Sequence, residues 1–176
     1  MTDEDRTIYK ALSFLLEYPV AESLHAIEEL RTDGIADRKS RRIVQEFIDY
    51  LRNTPLIRLQ ETYTATFDLS PSTSLNLTYH RWGDSKERGN ALVRLVHLYA
   101  QAGYEIADGE LPDYLPLVLE FFSVGPPGSA REIMAEYHPQ VRVLASRLGQ
   151  TSSPYTALIE SAAHLFARGD TTLTGG

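Results

Sequence analysis

The most informative segment of this chain is a proline-bracketed hydrophobic block, Glu110-Leu111-Pro112-Asp113-Tyr114-Leu115-Pro116-Leu117-Val118-Leu119-Glu120-Phe121-Phe122. Pro116 has no N–H to donate and its ring clashes with the preceding turn, so a straight helix accommodates it only near its start. We therefore predict a helix that begins near Pro112 or Asp113. Such a start directs free backbone N–H groups and an acidic side chain to one place, beside a largely apolar surface. This arrangement suits the binding of a peptide.

Helical periodicity extends over most of the remaining chain. The first segment has apolar residues at i, i+4, i+7 and i+8, namely Ile8, Leu12, Leu15 and Leu16. Later helices are predicted from capping-box spacings at residues 84–87 and 129–132 and from Ser153-Pro154, with an interruption at Pro139. The helix after residue 87 has an apolar stripe formed by Leu92, Leu95, Val96 and Tyr99.

The helical pattern breaks between Asp68 and Gly83. Ser70-Pro71-Ser72-Thr73-Ser74 is too polar and turn-prone to bury a face, while Leu75, Leu77 and Tyr79 alternate as in a strand. Because no partner strand is evident, we predict an extended loop that lies over the helices. The fold class is then all-α: a single-domain helical bundle over residues 1–168 with one long loop at about 68–83. We expect the tail, residues 169–176, to be disordered.

Composition excludes several classes of protein. The 176 residues correspond to about one domain, and the absence of cysteine excludes disulfides, zinc–thiolate sites and cysteine-bound iron–sulfur clusters. A net charge of −7 argues against nucleic-acid binding and favours a partner that carries basic residues. The acidic N-terminus does not resemble a secretory signal, and no apolar stretch approaches the roughly 20 residues of a membrane span. We expect a cytoplasmic protein with no direct membrane insertion.

Catalytic and metal-binding patterns are incomplete. Glu22 and His25 supply one Glu-x-x-His spacing, but a di-iron bundle needs two such motifs. The chain also has no Gly-x-Ser-x-Gly elbow and no glycine-rich phosphate loop ending in Lys-Ser or Lys-Thr. We therefore predict a protein that is not an enzyme and has no cofactor or metal ion of its own.

Three motifs, taken in order along the chain, carry a family resemblance. The first is Leu12-Ser13-Phe14-Leu15-Leu16-Glu17-Tyr18-Pro19, the second consists of the two segments Tyr63–Asp68 and Leu75–Asp84, and the third is the proline-bracketed block that begins at Glu110. Together they resemble the NarJ family of nitrate reductase assembly chaperones, which belong with the all-helical TorD/DmsD chaperones for molybdenum enzymes. The likeness extends roughly from Ala11 to Phe166.

The resemblance implies a dedicated chaperone in nitrate respiration. Family members bind the N-terminal region of the apo catalytic alpha subunit of nitrate reductase and assist insertion of the molybdenum cofactor and of iron–sulfur clusters. They also hold back membrane docking until maturation is complete. Molybdenum cofactor delivery proteins are further expected partners, and the chain itself is expected to be a monomer or a weak dimer. Two alternatives remain open: a TorD/DmsD-type chaperone for the twin-arginine signal peptide of another molybdoenzyme, and an all-α enzyme or nucleotide-binding protein.

Candidate client-peptide contacts fall in two places. In the proline-bracketed block, Leu111, Leu115, Val118 and Phe122 are expected to face the core. The candidate contacts there are Asp113, Tyr114, Leu117, Glu120 and Phe121. In relatives the matching Pro-Asp segment contributes to the client site, and Tyr114 stands where many of them have His. The plain alternative is that Asp113 only complements the helix dipole and Glu120 is solvated.

The second place is the loop sequence Tyr79-His80-Arg81-Trp82, which could form one rim of a groove. Alternatively, Trp82 packs the loop onto the bundle and Arg81 pairs with Asp84 or Glu87. Tyr63 and Phe67, at the end of the preceding helix, are expected in the core.

Overall fold

A computed structural model describes residues 2–28, 30, 32–35 and 37–170. The all-α prediction is confirmed, and the described part of the chain contains nine α-helices. Their bounds are α1 Asp3–Leu15, α2 Ala21–Glu28, α3 Arg38–Asn53, α4 Leu56–Tyr63, α5 Tyr79–Trp82, α6 Lys86–Gln101, α7 Leu115–Val124, α8 Pro127–Leu148 and α9 Thr156–Asp170. The predicted disordered tail, residues 169–176, is wrong at its first two residues, which belong to α9, and its remainder, residues 171–176, lies outside the described residues.

Local sequence explains how the first helices begin. Thr2 and Asp5 form a reciprocal capping box at the start of α1, and the side chain of Asp37 accepts from the Ser40 N–H at the start of α3. These side chains satisfy backbone donors that a helix start leaves free.

Two helix pairs make up the centre of the bundle. α1 packs along α7, and α8 packs along α9, with the aromatic side chains of the core between the elements. Tyr63 and Phe67 lie in this core as expected, with ring centroids 5.0 Å apart and both rings against Tyr155. None of the helices in the described ranges combines the length and apolar character that a membrane crossing requires.

The predicted start of α7 was wrong. The helix begins at Leu115, with Pro116 in its first turn, and not at Pro112 or Asp113. The reason is a single antiparallel bridge between Asn76 and Tyr114: Leu77 N–H donates to the Asp113 carbonyl over 3.0 Å, and Leu115 N–H donates to the Leu75 carbonyl over 2.9 Å. These bonds hold Tyr114 in an extended conformation, so the helix starts only at Leu115.

The long loop at residues 68–83 contains more structure than its composition predicts. A π-helical turn, Thr64–Asp68, follows α4, a 3-10 turn covers Pro71–Thr73, and α5 occupies Tyr79–Trp82. The alternating Leu75 and Leu77 are both buried, with Asn76 bridged to Tyr114 between them. The strand-like pattern therefore does have a partner, and it lies in the entry to α7.

The starts of the last two helices also differ from expectation. α8 begins at Pro127 and not at the predicted capping box of residues 129–132, because proline has the fixed φ that a first helical position requires. It continues through Pro139, which is exposed, to Leu148 without the predicted interruption. α9 begins at Thr156, after Ser153-Pro154.

Candidate functional site

Asp113 lies at the centre of a buried polar cluster. Its side chain is fully buried, and Oδ2 accepts from both the backbone N–H (3.1 Å) and the hydroxyl of Thr78. Asn76 Nδ2 lies 3.4 Å from Oδ1, and Arg88 Nη2 lies 3.9 Å from Oδ2. Arg88 Nε also donates to the Thr78 hydroxyl over 3.1 Å. Asp113 therefore anchors the segment before α5 to the entry of α7, and it is not available on the surface.

Leu117 and Phe121 are also interior residues, at 4% and 0% exposure. The expectation that these two residues and Asp113 contact the client directly is wrong, because all three side chains are buried. α7 is buried on almost every side because α1 covers one face and the aromatic rings of Tyr99 and Tyr104 cover Phe121, with centroids at 4.8 and 5.4 Å.

The predicted inward stripe of the block is confirmed for Leu115, Val118 and Phe122, which are all fully buried. Leu111 is 44% exposed, which contradicts its expected position in the core. It precedes α7 and so does not share the periodicity of that helix.

Glu120 is the part of α7 that reaches the surface. Its carboxylate accepts from Lys10 Nζ at 2.9 Å and from the Tyr104 hydroxyl at 3.0 Å. Burial acts to raise its pKa, but the bonds from Lys10 and Tyr104 and the charge of Lys10 outweigh it and lower the pKa. Glu120 is thus ionised and paired, and it is not the freely solvated residue of the plain alternative.

Further carboxylates lie near Glu120. The pKa of Glu17 is raised by burial and by the charges of Glu120 and Glu110, against the opposing effect of Lys10.

Tyr114 is half-buried next to this region. The Tyr114 hydroxyl lies 2.7 Å from the Tyr63 hydroxyl, and the Tyr63 hydroxyl donates to the Leu16 carbonyl oxygen over 3.1 Å. Burial raises the pKa of Tyr114 to about 12.

Residues Tyr79–Trp82 form α5 and are fixed from several sides. Both nitrogens of the His80 ring have a hydrogen-bonding partner: Nε2 lies 2.7 Å from the Ser74 carbonyl oxygen, and Nδ1 lies 3.2 Å from Arg147 Nη1. Arg147 can only donate, so Nδ1 is the acceptor and Nε2 carries the proton. Burial has the largest effect on the His80 pKa and lowers it, and the charge of Arg147 also lowers it. The hydrogen bond to Ser74 and the charge of Asp113 act to raise the pKa, but the net shift is downward.

Trp82 follows the packing alternative, whereas Arg81 stacks on the Trp82 ring and does not pair with Asp84 or Glu87 as that alternative expected. Trp82 is half-buried against the core, and the Arg81 guanidinium lies 4.6 Å from its ring centroid. Arg88 lies 5.6 Å from the centroid of Tyr79. α5 therefore presents cations stacked on aromatic rings, and its backbone is held in place by the Asp113 cluster.

An accessible depression lies one layer outside Phe121. It has a volume of about 430 Å³, and its lining residues are Val96, Ala100, Tyr104, Glu105, Ile106, Ala107, Asp108, Gly109, Glu110 and Pro112. Its floor includes Tyr104, which contacts both Glu120 and Phe121. Three carboxylates in the lining, those of Glu105, Asp108 and Glu110, are exposed. We call this feature the acidic depression.

The residues that line the acidic depression were not among the candidate client contacts predicted from the sequence. Val96 was expected on the buried stripe of α6 and is instead 44% exposed. Val93, on the same helix, is 55% exposed. A second apolar face on the same helix, opposite Leu95 and Tyr99, was the available signal. Within the described ranges, no three His, Asp or Glu residues are grouped so as to hold a metal ion.

Comparisons with known proteins match the chain over most of its length. The family described as "Nitrate reductase delta subunit" matches residues 35–159. The probable nitrate reductase molybdenum cofactor assembly chaperone NarJ of Bacillus subtilis is 36% identical over 90% of this chain and 88% of its own length. The nitrate reductase molybdenum cofactor assembly chaperone NarJ of Escherichia coli K12 is 34% identical over 85% of this chain and 65% of its own length.

A solved structure shares the fold. A crystal structure described as a redox enzyme maturation protein from Archaeoglobus fulgidus aligns with a TM-score of 0.66. The alignment covers 96% of this chain and 93% of that one at 22% sequence identity, which supports the fold alone.

Proposed function

This chain belongs to the nitrate reductase delta subunit family, and we propose that it acts as an assembly chaperone for insertion of the molybdenum cofactor into a nitrate reductase. The observation that carries the proposal is identity above 30% to relatives named as such chaperones over nearly the whole chain. The resemblance carried by the three sequence motifs is thereby confirmed.

The client in this proposal is the apo catalytic alpha subunit, bound through its N-terminal region in the cytoplasm. The chaperone keeps that subunit competent for insertion of the molybdenum cofactor and iron–sulfur clusters, receives delivery proteins, and delays membrane docking. Both cofactors are cargo for the client. Without cysteine, this chain offers no thiolate ligands for a cluster, so its role is to hold the polypeptide.

Surface chemistry supports a basic, amphipathic client segment. The chain has a net charge of −7, and exposed carboxylates surround partly apolar surface at the acidic depression. Among the contacts predicted from sequence, Glu120, Tyr114 and the α5 residues Tyr79, His80, Arg81 and Trp82 keep accessible surface. We retain these as client contacts, whereas Asp113, Leu117 and Phe121 support them from inside.

Client release follows from differential binding. A micromolar complex corresponds to about −8 kcal/mol, which a few buried anchors supply. If maturation hides the N-terminal segment inside the client, the chaperone loses its ligand and dissociates.

Two measurements test the proposal. Co-expression of the apo alpha subunit with and without this chain should show a higher molybdenum content per subunit when the chain is present. Calorimetric titration with a peptide of the client's N-terminal segment should show binding that weakens as salt concentration rises. Unchanged molybdenum loading and absence of peptide binding would together overturn the proposal.

A competition experiment separates the sister class of chaperones. A twin-arginine signal peptide from another molybdoenzyme, titrated against the nitrate reductase peptide, should bind more weakly. Tighter binding of the twin-arginine peptide would assign the chain to a different client.

A further inference from the structure

We propose that one exposed face of α6, together with the acidic depression at its C-terminal end, is the docking surface for a basic amphipathic helix of the client. This inference rests on the proposed chaperone function and adds the surface and the form of the bound segment.

The exposed face of α6 is a regular apolar stripe. Gly89, Val93, Val96 and Ala100 are spaced i, i+4, i+7 and i+11, which places them within one narrow sector of the helix. All four are exposed, and a Cβ placed at Gly89 would meet no atom within 4 Å. We call these four residues the α6 seam.

The seam is separate from the side of α6 that packs on the bundle. The inward side consists of Ala91, Leu95 and Tyr99, all buried and on the opposite side of the helix. The seam residues are small, so the backbone of a second helix can approach closely while apolar side chains interdigitate with Val93 and Val96. Val93 and Val96, at 55% and 44% exposure on a regular helical spacing, are not among the apolar residues that pack against the core.

The seam leads directly into the acidic depression. Val96 and Ala100 belong to both features, and beyond them lie Tyr104 and Ile106. The carboxylates of Glu105, Asp108 and Glu110 surround this end, which is also the negative end of the α6 dipole. A bound helix should therefore carry Lys or Arg where it meets the depression.

Charge favours a basic partner over a second copy of this chain. Two copies of a chain whose net charge is −7 repel each other, whereas a basic helix is attracted to the carboxylates of the acidic depression. Along α6 itself, Arg94 pairs with Glu136 at 2.9 Å, so this cation is already compensated.

The decisive variant is Val96→Lys, which adds a charge of the same sign as the basic client, with Val143→Lys on α8 as its matched control. Val143 is 39% exposed and Val96 is 44% exposed, so neither change should disturb the core. Fluorescence anisotropy with a labelled peptide of the client's N-terminal segment should show about tenfold or greater weakening for Val96→Lys, equivalent to about 1.4 kcal/mol, and at most about twofold for the control. Circular dichroism and thermal unfolding confirm that both variants fold.

A charge-reversal variant tests the acidic depression. Glu105→Lys with Asp108→Lys should weaken the peptide and flatten the dependence of its affinity on salt, while Glu46→Lys on α3 should change neither.

The outcomes separate the two levels of the argument. Equal peptide binding by the parent protein and Val96→Lys would overturn the docking surface and leave the chaperone function standing. Failure of the parent protein to bind the peptide would overturn the proposed client recognition itself. Loss of a dimer on Val96→Lys, seen by analytical ultracentrifugation, would show that the seam joins two copies and would also overturn the inference.

Discussion

Asp113 and Arg88 form an ion pair inside the protein, with Oδ2 and Nη2 3.9 Å apart, and the Thr78 hydroxyl contacts both side chains. The acidic residue that sequence motifs associate with client binding is thus committed to holding the loop before α5 in place. Any effect of Asp113 on client binding is therefore indirect and arises from the position of the loop that it holds.

Asp113→Ala should destabilise the protein by about 3 kcal/mol, because it leaves a partly buried guanidinium and the Thr78 N–H without their acceptor. Urea unfolding measures this loss. In a double-mutant cycle with Arg88→Ala the two losses should not add, since both changes disrupt one cluster. Unchanged stability combined with lost peptide affinity would instead assign Asp113 to direct client contact.

Gly125→Ala should destabilise the protein by about 1–3 kcal/mol, because a Cβ at this position would lie 2.6 Å from the Phe121 ring and 2.8 Å from the Phe121 carbonyl oxygen. Gly128→Ala is the matched control: it lies in α8 with open space around it, and it should be neutral or stabilising by up to about 1 kcal/mol. Thermal unfolding of both variants provides the comparison, and equal effects would refute the packing argument.

Tyr104→Phe should raise the pKa of Glu120 toward its ordinary value of 4.5, because it removes one of the hydrogen bonds that stabilise the carboxylate. Titration of the Glu120 carboxyl carbon by NMR measures the change. A carboxyl group whose pKa is lowered by folding stabilises the folded protein above its ordinary pKa, and this stability is lost when the group is protonated. Between about pH 5 and pH 3, where carboxyl groups titrate, the variant should therefore lose less stability than the parent. Tyr50→Phe on α3 should leave Glu120 unaffected, and an unshifted Glu120 in Tyr104→Phe would contradict the contact.

His80 should make stability depend on pH near neutrality. Because burial and Arg147 lower its pKa from 6.5, the folded protein resists protonation, and a His80⁺ Nδ1–H would point at the Arg147 guanidinium. Its contribution is complete above the ordinary pKa and is lost as pH falls through the lowered value. Melting temperatures measured from pH 8 to pH 5 should fall more steeply for the parent than for His80→Gln. Identical slopes would show that His80 does not titrate in this range.

The contrast between α6 and α7 shows how far sequence patterns extend. The periodicity of Leu115, Val118 and Phe122 correctly identified an inward face, because local spacing determines which residues share a side of a helix. The same reasoning placed Val96 in the core, since a helix with apolar residues on two sides does not reveal which side packs on the bundle. Only the neighbours of α6 decide that Leu95 is buried and Val96 exposed.

The sequence alone determined the helical class, the long loop, the absence of thiolate chemistry, the acidic surface and the family, because these depend on composition, local periodicity and ordered motifs. The tertiary structure decided where α7 begins, that Asp113, Leu117 and Phe121 are interior, and that an apolar face of α6 meets three carboxylates. Those features depend on contacts between distant segments, such as Asn76 with Tyr114 and Tyr104 with Glu120. Such pairings are set by the packing of the whole chain and leave no signature in the spacing of neighbouring residues.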